Sequence, residues 1–385
     1  MSDPTEFDPW SASTATLYRE LRRRVADDDL AVLATIVDVE GSAYRRPGAK
    51  MLVSPSNENL GAITAGCLEG PVADIAAQVL EDGQVRVETF DLMDDTQWGL
   101  GLGCNGIVDI LLEPIDGSLD GGLAALEERD PVTVLTAVNS TDSAVSIGDR
   151  TLLDAIGDPI PAEDRESLPD ELVASLRPAV GELRSDGGST VIERRTDNGS
   201  VTIFVDCLEP IPRLLLFGSQ NDVLPISRLG RQVGFKVIVA SPRGAQASTE
   251  AFPHAHEVVA SHPTDVKDHA DELTYAVVMS HNIIDDRLAL KTLLKETAVP
   301  YIGLMGPRER FEELREELSS EGTELTADQL ERVSTPVGLD IGGGEPVHIA
   351  LSIVSEVLAV HNGRSGGRLK DVEGPIHDRV TPPSS

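Results

Sequence analysis

The chain has 385 residues, with 65 Asp plus Glu against 32 Lys plus Arg, a formal charge of −33, and only six lysines among its cations. Such a surface repels nucleic acid and anionic lipid, which carry the same sign of charge, and excludes both as partners. The three cysteines, at 67, 104 and 207, form no CxxC or CxxH cluster, so neither a disulfide framework nor a structural zinc site is expected and a reducing cytoplasm fits best.

The acidic, polar start MSDPTEFDPW lacks the features of a secretion signal, and no apolar run reaches about 18 residues, so a soluble, intracellular protein without a membrane span is expected. The acidic, lysine-poor and aromatic-poor balance is that of a halophilic protein, because at 1 M salt the Debye length of about 3 Å removes the self-repulsion.

Residues 12–29 predict a helix with Leu17, Leu21 and Val25 on one face, followed by the strand LAVLATIVDVEG. The loop GSAYRRPGA leads to two short apolar strands, KMLVSP and NLGAITAG. In GCLEGPVADIAAQVLEDG, Val72, Ile75, Ala76, Val79 and Leu80 follow helical spacing, with Pro71 early and Gly83 as the stop, which places Cys67 at the helix's N-terminal edge. VRVETFDLM and GIVDILLEPI are strand-like, and the glycine-rich WGLGLGCNG between them puts Cys104 on a loop feeding a strand. Residues 116–200 hold strands such as VTVLTAV and STVIERR, with GDPIPAEDRESLPDELVASLRPAVG as the most variable-looking stretch. VDILLEPI at 108–115 echoes VDCLEPI at 205–211, but both look like strand ends and no true repeat is expected.

From 213 the texture changes. RLLLFGSQNDVLPISRLGRQVGFKVIVASPR reads as strand, tight turn, helix, strand, the first unit of a doubly wound parallel sheet. The alternation continues through EVVAS, YAVVMS, the helix DDRLALKTLLKE and YIGLMG; Thr326 and Gln329 then offer a capping box, and a last helix is opened by Pro346 with Ile349, Ser352, Ile353, Glu356 and Val357 at helical spacing. The expected organisation is an α+β domain over 1–210, a Rossmann-like domain over 211–366 and a loose tail over 367–385.

Several residues stand out chemically. Arg45, Arg46 and Lys50 put three cations within six residues of a strongly acidic chain, on a loop bounded by glycines: an anion receptor, or a patch that serves solubility. Cys67 lies where unpaired helix amides favour a phosphate or a thiolate, with Glu69 two residues on to polarise a ligand or complement the dipole; a small buried thiol is the plainer alternative. Gly103 and Cys104 sit in GLGCNG, which lets backbone approach a ligand closely or simply makes a tight turn. In GSQND, Gly218 opens the turn but Gln220 replaces the glycine that admits a pyrophosphate, and Ser241 stands where an acid would hold a ribose, so NAD(P) is not expected as a cofactor. MSHNIIDD places His281 and Asp285 after a strand, at the edge where such sheets bind ligands; helix capping by Asp285 is the alternative.

Taken together, EGSAYRRPGAKMLV, GAITAGCLEG and GLGCNGIVDILLEP resemble the N-terminal signatures of the XdhC/CoxI family of xanthine dehydrogenase and carbon monoxide dehydrogenase accessory proteins. The segments from LLLFGSQNDVLP to TPVGLDIGGGEPVHIALSIVSEVLA are similar to that family's Rossmann-like C-terminal domain. The resemblance implies a chaperone, not an enzyme: a protein that binds molybdenum cofactor, as molybdopterin or its nucleotide form. It implies protection of the cofactor through sulfuration by a cysteine desulfurase-type sulfurase, then insertion into a molybdenum hydroxylase apoenzyme. On that reading Arg45, Lys50, Cys67, Glu69, Gly103, Cys104, Gly218, His281 and Asp285 are the candidate cofactor-binding residues, with Cys67 as the candidate molybdenum contact. Tyr44 departs from the proline usual in the family, Asn105 from the second glycine that follows the cysteine, Gln220 from the glycine of the nucleotide loop, and Ser241 from the common acid. The alternative is a Rossmann-type NAD(P)-dependent oxidoreductase; whether the chain forms a homodimer is left open.

Overall fold

A computed structural model describes residues 9–56, 58–92, 106–162, 164–186, 188–244 and 247–373. The chain divides between Pro210 and Ile211 into two compact units.

The N-terminal unit begins with helix α1 (Thr14–Ala26), whose N-cap Ser13 accepts from the Thr16 amide. Strands β1 (Val32–Gly41), β2 (Lys50–Val53) and β3 (Asn59–Gly61), helix α2 (Glu69–Asp82) and strands β4 (Arg86–Asp91) and β5 (Gly106–Pro114) follow. Gly83, at φ +68°, ends α2 in the left-handed cap that its position in the sequence predicts. The strands form an antiparallel sheet in the order β3-β2-β1-β5-β4.

The same series then repeats. Helix α3 (Asp120–Glu127), strands β6 (Val132–Ser140), β7 (Arg150–Leu153) and β8 (Pro159–Ile160), helix α4 (Asp170–Asp186) and strands β9 (Thr190–Thr196) and β10 (Gly199–Leu208) give a second sheet in the order β8-β7-β6-β10-β9. Correspondence extends to single residues. Thr35 of β1 pairs with Lys50 and Thr136 of β6 with Arg150; the central strand pairs shift register after Ile36 in one copy and before Ile203 in the other. The Gly48 amide, at φ +93°, donates to the Ile36 carbonyl at 2.8 Å, and the Gly148 amide, at φ +97°, donates to Ala137 at 2.9 Å. The unit is therefore an internal duplication, which corrects the expectation of no repeat. The echoing letters misled because they align Asp109 with Asp206, whereas the register aligns Glu113, opposite Leu33, with Asp206, opposite Val134.

The stretch expected to be variable contains α4, which buries Leu172, Leu176, Val180 and Leu183 and carries Pro178 inside it. Helix α2 covers one face of the first sheet through Val72, Ala76 and Val79; α4 covers one face of the second. The remaining faces meet through Leu33, Leu52, Val134, Leu152 and Leu208 and through Val37, Leu111, Val138 and Phe204. The result is a four-layer sandwich of helix, sheet, sheet, helix.

The C-terminal unit carries β11 (Arg213–Phe217), α5 (Val223–Gln232), β12 (Lys236–Ser241), β13 (Glu257–Ala260), β14 (Thr274–Val278), α6 (Ile283–Glu296), β15 (Tyr301–Leu304), α7 (Arg308–Ser320), α8 (Ala327–Glu331), β16 (Val333–Ser334) and α9 (Pro346–His361). Its six parallel strands run β13-β12-β11-β14-β15-β16, so the order reverses between β11 and β14, as in a doubly wound Rossmann-like sheet. The capping box of Thr326 and Gln329 is present. Helix α9, opened by Pro346 as its spacing predicts, buries Ala350, Ile353, Val354 and Val357, while Ile349 is 42% exposed.

Candidate functional site

The register of the first sheet brings its special loops to one edge. Gly41, the end of β1, lies opposite Gly106, the start of β5; β4 ends at Asp91 opposite Ile107; β3 ends at Gly61 opposite Met51. The connections 42–49 and 62–68 and the connection that begins at Leu92 therefore leave from the same side. A Cβ on Gly106 would stand 2.5 Å from the Ser42 carbonyl oxygen, so only glycine lets the strands close beneath these loops. In the second copy TDSAVSIGD replaces the cationic loop and a turn at 197 and 198 replaces the long connection. Only the first copy keeps the cationic loop and the long connection.

Loop 42–49 walls a cleft of about 460 Å³, lined by Thr14, Leu17, Tyr44, Arg45, Arg46 and Gly48 among others. Arg45 and Arg46 are exposed. Arg45 makes no hydrogen bond or ion pair with the described residues, so its guanidinium faces the cleft region without a committed partner.

Lys50 is placed differently from the expectation. Its ammonium, 8% exposed, donates to Asp206 Oδ2 at 2.5 Å and to the Gly48 carbonyl at 3.1 Å, and Ser189 Oγ donates to Asp206 Oδ1 at 2.7 Å. Asp206 and Ser189 belong to the second copy, so the second sheet clamps the base of the loop that carries Arg45. A Cβ on Gly48 would lie 3.0 Å from Ser189 Oγ and 3.2 Å from Asp206 Oδ1. Burial alone would lower the Lys50 pKa, but the Asp206 carboxylate, with Tyr18 and Glu113 nearby, outweighs it and the pKa is raised. The duplication supplies the reciprocal pair: Arg150 meets Glu113 through two bonds of 2.8 Å and also reaches Ser118 and Thr136. Lys50 thus braces the loop.

Cys67 is half-buried on the turn before α2. The Cys67 and Leu68 amides donate to Thr64 Oγ1 at 3.0 and 3.1 Å. The Glu69 carboxylate accepts from the Thr64 amide, the Thr64 hydroxyl and the Leu68 amide at 3.1, 2.5 and 3.1 Å. The Cys67 and Leu68 amides, on the turn before the helix, are therefore committed to Thr64 and Glu69, and Glu69 shapes the cysteine turn. Gly103 and Cys104 lie outside the described residues. Cys207, on β10, has its thiol pushed up to about 11 by burial, against a lowering hydrogen bond from Thr133.

In the C-terminal unit, a Cβ on Gly218 would meet the Met279 carbonyl at 2.6 Å, so this glycine serves the packing of β11 against the end of β14. His281, at φ +61°, sits beside the strand-order reversal and its Nε2 lies 2.6 Å from Asp222 Oδ2. Asp222 is the N-cap residue of α5 and puts a carboxylate where a pyrophosphate would need positive potential. Asn282, not Asp285, caps α6, accepting from the Ile284 and Asp285 amides. Buried Asp286 takes the Ser280 amide and hydroxyl and the Arg310 guanidinium, at 3.0, 2.5 and 2.5 Å. Ser241 closes its own turn with Arg243 and is fully buried, so it offers no hydroxyl to a ribose.

The family model described as "XdhC and CoxI family" matches residues 25–91, and the one described as "XdhC Rossmann domain" matches residues 214–357. This chain belongs to the XdhC/CoxI family. A Bacillus subtilis protein, named as a probable subunit of xanthine dehydrogenase, is 29% identical over 86% of this chain and 93% of its own length. A crystal structure of a Bacillus halodurans protein called a xanthine dehydrogenase superposes with a TM-score of 0.70 at 26% identity, covering 90% of this chain and 96% of the other. The Escherichia coli molybdenum cofactor insertion chaperone PaoD is 30% identical over 26% of this chain and 32% of its own.

The first family match, 25–91, includes the cationic loop, Lys50 and the Cys67 turn, but it ends before the second copy begins. In this XdhC/CoxI member Asp206 and Ser189, which hold that loop, come from outside the matched segment. Reading along the sequence missed them because Asp206 lies 156 residues from Lys50.

Proposed function

We propose that this XdhC/CoxI protein is an accessory factor for a xanthine dehydrogenase-type molybdenum enzyme, and that its first sheet holds molybdenum cofactor in the Arg45–Arg46 cleft. The observation that carries the reading is Arg45: an exposed guanidinium without a described partner, in a chain of charge −33, on a clamped loop present in only one of two copies. The donor set fits the cofactor. Its phosphate suits the two guanidiniums, the cleft of about 460 Å³ is of small-molecule size, and Cys67 lies on the loop that begins with Ala62, a cleft residue. When bound, the cofactor supplies molybdenum chemistry to the partner enzyme; this chain's residues bind, orient and release it. Cys67 is assigned to the metal and sulfur end, Arg45 to the phosphate, and Lys50 to holding the loop.

In this reading the chain presents the cofactor to a cysteine desulfurase-type sulfurase and then to the hydroxylase apoenzyme, and performs no turnover itself. Asp222 opposes the rival reading, an NAD(P)-dependent oxidoreductase, because a carboxylate at the α5 N-terminus repels a dinucleotide's phosphates. The test is equilibrium binding of purified molybdenum cofactor to the full chain. Arg45→Ala removes a charge-assisted bond of about 1.5–3 kcal/mol, roughly ten- to a hundredfold in affinity. Parent-like binding by Arg45→Ala, or no binding by the parent, refutes the reading.

A further inference from the structure

Of the aromatic side chains described, only Trp10 and Tyr44 are exposed, at 38% and 55%. They touch each other, with ring centroids 6.2 Å apart and planes inclined at 33°. Phe90, Phe204, Phe217, Phe235, Phe252, Phe311, Tyr275 and Tyr301 are all buried, and Tyr18 is partly buried in the core between the two sheets. A chain with so few rings that leaves two of them in water, in mutual contact, forgoes burial that every other described ring obtains.

Their position sets what they meet. Tyr44 lines the cleft of about 460 Å³ and is followed in sequence by Arg45 and Arg46, which line it too. Trp10, on the short turn Pro9–Ser11, packs against Tyr44 from a separate part of the chain. Consecutive residues thus present one π-face and two guanidiniums, the recognition elements for a flat ring carrying an anionic group: rings stack on rings, and arginine forks match phosphate. A volume of this size admits a small molecule and no folded partner.

We propose that Tyr44, backed by Trp10, is the stacking wall of the site: it takes the ring of a phosphate-bearing planar heterocycle whose phosphate lies on Arg45 and Arg46. This rests on the cofactor reading above and adds to it which end of the ligand faces which wall. Tyr44 is therefore a specificity-determining residue, selecting for a flat ring where the guanidiniums alone would accept any phosphate.

The experiment uses the full chain with three probes: molybdopterin, the fluorescent ring compound pterin-6-carboxylate, and inorganic phosphate. Loss of one stacked ring face weakens binding by about tenfold or more, so Tyr44→Ala weakens both pterins by that factor while Tyr44→Phe, which keeps the ring, binds like the parent. Trp10→Leu gives a smaller loss in the same direction, and inorganic phosphate binds parent and Tyr44→Ala alike. Equal pterin binding by parent and Tyr44→Ala overturns the stacking wall and leaves the cofactor reading standing. Pterin-6-carboxylate binding that depends on Tyr44, without molybdopterin binding, supports the wall and overturns the cofactor reading. Binding of neither pterin by the parent overturns both. Circular dichroism of each variant confirms that a loss of affinity is not a loss of fold.

Discussion

Asp206→Ala tests the claim that the second copy holds the functional loop of the first. The substitution leaves the Lys50 ammonium 8% exposed, with the Gly48 carbonyl as its remaining described acceptor, and strips Ser189 of its acceptor. Neither partner of the pair is more than a tenth exposed, so water does not screen the loss, and removing one member of a buried ion pair costs about 3–5 kcal/mol. For a unit of roughly 200 residues, at about 2–4 °C per kcal/mol, the midpoint of thermal unfolding falls by about 6–20 °C. Asp206→Asn costs less, because an amide oxygen still accepts from Ser189. The double variant Lys50→Met, Asp206→Leu removes both charges together and recovers most of the loss, since an apolar pair of similar volume avoids the desolvation of two ions. Urea and thermal unfolding of the full chain give the energies, and hydrogen exchange at the Gly48 amide, bonded to Ile36 in the parent, reports the loop. A destabilisation below about 1 kcal/mol for Asp206→Ala, with unchanged exchange at Gly48, would refute the clamp.

Gly48→Ala puts a side chain at φ +93° and 3.0 Å from Ser189 Oγ; about 1–3 kcal/mol is lost, and Ser189→Gly in the same chain relieves only the crowding part. Alkaline pH weakens the N-terminal unit, because Lys50 is raised by its partners and the Tyr18 hydroxyl is pushed up to about 12 by burial. Groups whose folded pKa is raised stabilise below their unfolded value and lose that stabilisation as pH rises through the folded one, so urea midpoints fall between about pH 10 and 12. Tyr18→Phe makes that fall shallower; an identical profile would remove Tyr18 as a cause. With a charge of −33, the unfolding midpoint rises as salt goes from about 0.01 M to 1 M and the Debye length shrinks from about 30 to 3 Å; a flat response would remove the halophile expectation.

The Rossmann-like unit was legible because its strands are buried on both faces and read as continuous apolar runs, Leu214–Leu215–Leu216–Phe217 and Val237–Ile238–Val239 among them. The duplication was not, because what the two copies share is role and sign of charge: Lys50 answers to Arg150 and Glu113 to Asp206, and neither pair keeps its letter. Helix α4 was hidden by Pro178. In the candidate site, Arg45 and Arg46 stood out as positive residues in an acidic chain, and both line the cleft. Proximity in sequence could not say that Lys50 was already held by a residue 156 positions away, nor that Glu69, two residues from Cys67, folds back onto Thr64. Local motifs report which residue types are gathered; long-range pairs decide which of them remain available.

That distinction bears most on the two cysteines that can be compared. Cys207 is buried on β10 and its thiol is held up to about 11, so at pH 7 only about one molecule in ten thousand carries the reactive thiolate there. Cys67 is half-buried on a turn whose backbone is fixed by Thr64 and Glu69. Iodoacetamide, followed by peptide mass spectrometry, therefore labels Cys67 well before Cys207 in the folded chain, and Cys207→Ser leaves cofactor binding unchanged. If Cys67 is a contact of the cofactor's metal or sulfur end, bound cofactor slows labelling at Cys67 and has no effect at Cys207. Glu69→Gln, which keeps the thiol but weakens the turn that aims it, reduces that protection together with affinity. Cofactor that binds as tightly to Cys67→Ser as to the parent, and leaves Cys67 labelling at its free rate, would place the thiol outside the site and leave Arg45 and its clamped loop as the site's anchor.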